Sequence, residues 1–153
     1  MAKNKASKKI LFIAGAVLCC IFALMLVCNL TIIIKGVINP ETPPSVFGVT
    51  PMVVQSGSMS GSAEDHIEVG DLIFTVKPNT AELKKGDIIS FMEGDIAVTH
   101  RIVDVTTDAN GKRSFITKGD ANNTEDPAVS EDAVFGLYKG RICLLYTSPS
   151  PRD

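Results

Sequence analysis

The sequence predicts a mainly β protein, an N-terminal transmembrane helix followed by an all-β domain. Three observations predict it. Residues 10–34 form an apolar run free of charge. From residue 50 onward, short β-branched and apolar runs alternate with Gly-Asp and Asn-Gly pairs, which are turn signals. Charge is divided among the parts. Residues 1–9 carry +4, residues 10–34 carry none, and the remainder carries −6, so the mild net charge of −2 hides three unlike segments. An acidic exterior repels phosphate, which excludes a nucleic-acid binder. The 153 residues suffice for one domain of ordinary size.

The apolar run is interrupted only by Gly15, Asn29 and Thr31. As a helix it spans roughly 37 Å, enough to cross about 30 Å of hydrocarbon with some tilt. A cleaved signal peptide has a shorter apolar core, about 7–15 residues, and ends at a small-x-small site. The segment from Lys35 to Pro40 offers no such site. Lys3, Lys5, Lys8 and Lys9 precede the helix, which places the N-terminus in the cytoplasm by the positive-inside rule. The chain is then a single-pass protein of the cell membrane with residues 35–153 on the outer side. Cys19, Cys20 and Cys28 lie inside the span, where a thiol behaves as a small apolar side chain, and Cys143 stands alone outside it. No disulfide framework and no zinc motif follow from that pattern.

After the helix, Pro40, Pro43, Pro44 and Pro51 mark an extended linker. Strands are expected at 50–55, 72–76, 88–92, 96–105, 114–117 and 134–138, closing a barrel-like domain or two packed sheets. Asn110-Gly111 signals a hairpin with a type I′ turn. Residues 68–73 (EVGDLI) echo residues 84–89 (KKGDII), as two similar strand starts would. Along 96–105, period-two alternation puts His100 on one face with Ile96, Val98 and Ile102.

Few residues can carry chemistry. His66 and His100 are the two histidines, and His66, among Ala63, Glu64 and Asp65, is expected in solvent. A Ser/Gly stretch, residues 55–62, follows the first strand. A Gly-Asp turn with further acids, residues 118–127, follows a later one. A serine hydroxyl is a poor nucleophile unless a base takes its proton, and the base needs a third group to hold its tautomer. Ser, His and Asp on three strand ends can meet that need.

The motifs in order carry a resemblance. Ser56-Gly57-Ser58-Met59, just outside an N-terminal anchor, resembles the S-x-S-M box of type I signal peptidases. Gly86-Asp87-Ile88-Ile89-Ser90-Phe91 resembles the strand that follows in that family. Thr99-His100-Arg101-Ile102-Val103 resembles the next box in the endoplasmic-reticulum and archaeal-type branch, where His replaces the Lys of the common bacterial branch. Lys118-Gly119-Asp120-Ala121-Asn122 through Asp126 resembles the G-D-x-N…D box, in the form of the SipW-like subgroup. The resemblance covers roughly residues 10–142.

It implies roles for individual residues. Ser58 matches the nucleophile and His100 the general base, for which imidazole is suited by an unperturbed pKa of about 6.5. Asp126 matches the acid that orients the base. Asp120 matches a second acid of structural or electrostatic role, and the two acids could exchange places. Ser56 matches a position near the oxyanion site, beside the Ser58 N–H. The implied activity is that of a serine endopeptidase cleaving signal peptides from exported preproteins. Its partners are those preproteins and the lipid bilayer, and no metal or organic cofactor is implied. The alternatives are a non-catalytic membrane-anchored β-domain and a self-cleaving repressor-type serine protease.

Two departures stand out. Many members carry Pro soon after the S-x-S-M box, where residues 60–65 intervene here. The final stretch, 143–153, resembles translated adapter sequence and is expected to be a non-native tail. The expected organisation is a basic stub at 1–9, the transmembrane helix at 10–34, a Pro-rich linker at 35–51, the catalytic β-domain at 52–142, and that tail.

Overall fold

The computed structural model describes residues 2–38 and 42–143, with side chains from Lys8 onward. Apart from Cys143, the expected tail lies outside these residues. A single helix, α1, runs from Ala2 to Ile38. Its stretch Lys8–Ile38 is long and apolar enough to cross a membrane, and none of it is buried against the rest of the chain. The helix thus continues past residue 34, into the range expected as linker. Asn29 and Thr31 return side-chain hydrogen bonds to the carbonyls of Met25 and Val27, one turn back. That satisfies both polar groups within the helix, as hydrocarbon surroundings demand.

Seven strands follow: β1 (Val49–Val53), β2 (Leu72–Val76), β3 (Ile88–Glu93), β4 (Ile96–Thr107), β5 (Arg113–Lys118), β6 (Val129–Ser130) and β7 (Val134–Ile142). They form one antiparallel sheet in the order β1-β2-β7-β3-β4-β5-β6 rather than two packed sheets. β1 is an edge strand, which accommodates Pro51 because its missing N–H leaves no gap in a central ladder. The domain is mainly β, as the alternation predicts.

Ile88 and Ile89 are adjacent in β3 and therefore point to opposite faces, and each faces its own core. Ile89, Phe91, Ile102 and Phe115 pack on one side. Met59, Ile67, Ile73 and Ile88 pack on the other, which forms the lower core. Each fully buried side chain of this kind contributes about 1.5–3 kcal/mol of transfer free energy. In the β3–β4 register, His100 lies opposite Ile89 and Arg101 opposite Ile88. His100 thus belongs to the Phe91 face, with a T-shaped contact to the Phe91 ring, and Arg101 belongs to the Met59 face.

The echo between residues 68–73 and 84–89 is a repeated turn. Asp71 Oδ2 accepts from the Glu68 N–H at 3.0 Å, and Asp87 Oδ2 from the Lys84 N–H at 2.9 Å. In each, the Asp N–H donates back to the same residue's carbonyl at 3.1 Å. Gly70 and Gly86 have φ of 89° and 97°, which an L side chain would strain. The Asn110-Gly111 turn differs from expectation. Only Gly111 has positive φ, so the turn is not type I′. Asp108 Oδ1 accepts from the N–H groups of Asn110 and Lys112 at 2.9 and 2.8 Å, and this side-chain cap holds a different turn.

Candidate active site

The S-x-S-M stretch leaves β1 as a tight turn in which the Ser60 N–H donates to the Gly57 carbonyl at 3.0 Å. Met59 is buried and anchors the turn in the lower core, which leaves Ser58 half-exposed beside it. Ser58 Oγ lies 3.4 Å from Ser56 Oγ. Ser56, Ser58 and His100 line a single cavity of about 780 Å³. Its walls include Met52 and Val54 on one side and residues 96–99 of β4 on the other.

That part of β4 has an open edge. Residues 96–100 pair with β3, whereas pairing with β5 begins only at Arg101–Lys118. Among the described residues no strand pairs with their other side, an edge of the kind that can accept an added strand.

His100 is 7% exposed. Its Nδ1–H donates to Asp126 Oδ2 at 2.6 Å. The same oxygen accepts from Thr117 Oγ1 at 2.7 Å, and the Asp126 N–H donates to the Thr117 carbonyl at 2.8 Å. Thr117 lies opposite Ile102 in the β4–β5 register, so β5 positions the Asp126 carboxylate next to the His100 ring. With Nδ1 committed to a carboxylate, the neutral ring carries a lone pair at Nε2, the form that accepts a proton. No hydrogen bond joins Ser58 Oγ to the ring among the described residues; such bonds are often long until substrate binds.

Asp120 is not brought to His100. It accepts from Arg101 Nε and Nη2 at 2.9 and 2.7 Å. Asp65 takes Nη1 and Nη2 of the same guanidinium, both at 2.8 Å. The two carboxylates push the Arg101 pKa up and hold it charged, and the guanidinium holds Asp65 below the ordinary carboxylate value. Just after Asp120 the chain folds back on Ser58, where the Ala121 N–H donates to the Ser58 carbonyl at 2.9 Å. A Cβ on Gly119 would stand 2.6 Å from that carbonyl oxygen, so only glycine allows the approach.

His66 is half-buried rather than free in solvent. Its Nδ1–H donates to the Ala63 carbonyl at 2.7 Å, and its Nε2 accepts from Arg141 Nη2 at 3.0 Å. Sequence reasoning missed Thr117, Arg101 and Asp65. Nothing local marks them: Arg101 meets Asp65 from 36 residues away, and Thr117 meets Asp126 only because the chain returns to β5. Among the described residues no group of three or more His, Cys, Asp or Glu is placed to hold a metal ion.

No protein-family model matches the chain. It is 41% identical over 123 residues to Signal peptidase I W of Bacillus subtilis, covering 78% of this chain and 61% of that protein. It is 37% identical over 83 residues to the Signal peptidase complex catalytic subunit SEC11C of Homo sapiens, covering 53% of this chain and 39% of the relative. The Mus musculus subunit matches to the same extent. The chain thus spans about three fifths or less of the length of these relatives. On these identities, the chain belongs to the type I signal peptidase family, in the branch that includes Signal peptidase I W and the SEC11C subunits.

Proposed function

We propose that this chain is a membrane-anchored serine endopeptidase that removes signal peptides from exported preproteins at the outer face of the cell membrane, with its N-terminus in the cytoplasm. The observation that carries the reading is the pairing of His100 with Asp126 on the cavity that Ser58 also lines. The names of the relatives support the substrate class.

The chemistry follows from the residues. His100 Nε2 takes the Ser58 Oγ proton as the oxygen attacks the scissile carbonyl carbon. The C=O pair moves onto oxygen, and the Ser58 N–H and the Ser56 hydroxyl donate to that oxyanion; one such donor is worth about 10²–10³ in rate. Collapse breaks the C–N bond, and the imidazolium returns its proton to the leaving amine. Water, deprotonated by the same ring, then hydrolyses the acyl ester. Asp126 holds the ring and balances its transient positive charge. The substrate adds as an extended strand along residues 96–100, and the apolar walls receive its small side chains. Sharing one membrane with its substrate raises the effective concentration of both.

The test is cleavage of a preprotein in vesicles by wild type, Ser58→Ala and His100→Ala. Each variant is expected to lose activity by about 10³-fold or more. Equal cleavage by all three overturns the mechanism, and no cleavage by any of them returns the chain to a non-catalytic anchored domain.

A further inference from the structure

Residues 60–68, which include the stretch 60–65 that departs from the family's pattern, are tied down along their length. Ser60 Oγ donates to Glu68 Oε2 at 2.7 Å. The Ile67 N–H donates to the Met59 carbonyl at 3.0 Å, and the Ile67 side chain is buried in the lower core. At its tip Asp65 grips Arg101 through two parallel bonds of 2.8 Å. Arg101 grips Asp120 in turn and also donates to the Gly86 carbonyl at 3.1 Å. Asp120 adjoins Ala121, whose N–H returns to the Ser58 carbonyl.

These contacts close a ring. It leaves Ser58 through Met59, passes along the segment to Asp65, crosses to Arg101 on β4, continues to Asp120 and Ala121, and re-enters Ser58 at its carbonyl. Arg101 adjoins His100 on the same strand, so the ring fixes the serine backbone relative to the strand that carries the base. We infer that Asp65 is a positioning residue of the active site, acting through Arg101 to hold Ser58 in register with His100. The inference rests on the roles proposed above for Ser58 and His100.

The physical case is one of geometry rather than strength. Asp65 has a side chain 47% exposed, and an exposed ion pair contributes little to stability. A two-point fork to a planar guanidinium nevertheless fixes orientation as well as distance. Without Asp65, Arg101 keeps Asp120 and the sheet keeps its register, so the fold persists. The segment leading from the nucleophile loses its tether to β4. Small misplacement of reacting groups is costly, since a shift of about 1 Å can lower the rate about 10²-fold.

The experiment compares wild type, Asp65→Asn, Asp65→Glu and Glu64→Gln in the full membrane-anchored chain. It reads kcat and KM on a preprotein, Tm, and hydrogen-exchange protection of the Ala121 amide. Asp65→Asn is expected to lower kcat about tenfold with KM within about twofold and Tm little changed. Asp65→Glu restores part of kcat, Glu64→Gln behaves as wild type, and the Ala121 amide loses protection only in Asp65→Asn. Unchanged kcat together with unchanged Ala121 protection overturns the inference. A fall in kcat matched by a large fall in Tm, with no rescue by Glu, also overturns it, because that marks a merely structural residue. A wild type that cleaves nothing, while Asp65→Asn still unprotects Ala121, sinks the peptidase reading and leaves the ring standing.

Discussion

Two neighbours on β4 meet carboxylates on opposite faces of one sheet. His100 points to the Phe91 face and meets Asp126; Arg101 points to the Met59 face and meets Asp120 and Asp65. Both Asp120 and Asp126 come from the segment that follows β5. The turn at Gly119–Asn122 presents the first acid below the sheet, and the return to Thr117 presents the second above it. The partner on β4 makes the difference. A guanidinium held charged by two acids cannot exchange a proton near neutrality, so its face can only bind and orient. An imidazole braced at Nδ1 can take a proton at Nε2 and give it back. In the proposed mechanism, one strand thus carries chemistry on one face and architecture on the other.

The sharpest way to break that comparison is to neutralise each acid in turn. Asp126→Asn is expected to lower kcat by about 10²–10⁴-fold, since an amide that donates to Nδ1 favours the wrong tautomer. Asp120→Asn is expected to cost no more than about tenfold, because Arg101 keeps Asp65 and the Gly86 carbonyl. Single-turnover cleavage by the two variants checks this. A larger loss in Asp120→Asn would reverse the assignment of the faces.

Next in size is Gly119→Ala. The new methyl would meet the Ser58 carbonyl oxygen at 2.6 Å and Asn122 Nδ2 at 2.7 Å. The amide can swing aside, but the carbonyl belongs to Ser58's own peptide. A loss of about 1–3 kcal/mol in stability is expected, with a fall of about tenfold in kcat, read by thermal melts and cleavage rates. Unchanged rates would mean that the serine backbone tolerates displacement, and the closeness of Gly119 would be incidental.

The sequence made parts of this arrangement legible. Short β-branched and apolar runs between turn pairs located six strands, and period-two alternation along 96–105 sorted the faces of one of them. It placed His100 with Ile102, and both are buried. β6 escaped because two residues, Val129 and Ser130, show no period. The Asn110-Gly111 turn misled because the deciding group is the Asp108 carboxylate, outside the dipeptide. His66 looked solvated among polar neighbours, yet its bond to Arg141 depends on strand pairing across the sheet. The same limit left the choice between Asp126 and Asp120 as the carboxylate partner of His100 open. Asp120 and Asp126 share one segment, and only the fold-back between them separates their faces.

The smallest effect concerns acid, and it isolates the arginine face. Arg141 lies opposite Ile73, so it shares the Met59 face with Arg101, and it pairs with buried Asp71. Burial alone would raise the Asp71 pKa, but the Glu68 N–H and the Arg141 guanidinium outweigh it and hold the carboxyl below its ordinary value of 3.8. Asp65 is lowered in the same direction by Arg101. A folded-state pKa below the unfolded one means that the stabilisation is complete above the unfolded value. It is lost as pH falls through the folded value. Melting temperature is therefore expected to hold from neutrality to about pH 5 and to decline below about pH 4. Asp71→Asn should melt earlier at neutral pH, by about 1–3 kcal/mol, and its curve should meet that of the wild type in strong acid. Parallel curves at all pH values would show that the Asp71–Arg141 pair does not govern acid stability. The architectural role of this face would then rest on the Met59, Ile67, Ile73 and Ile88 packing alone.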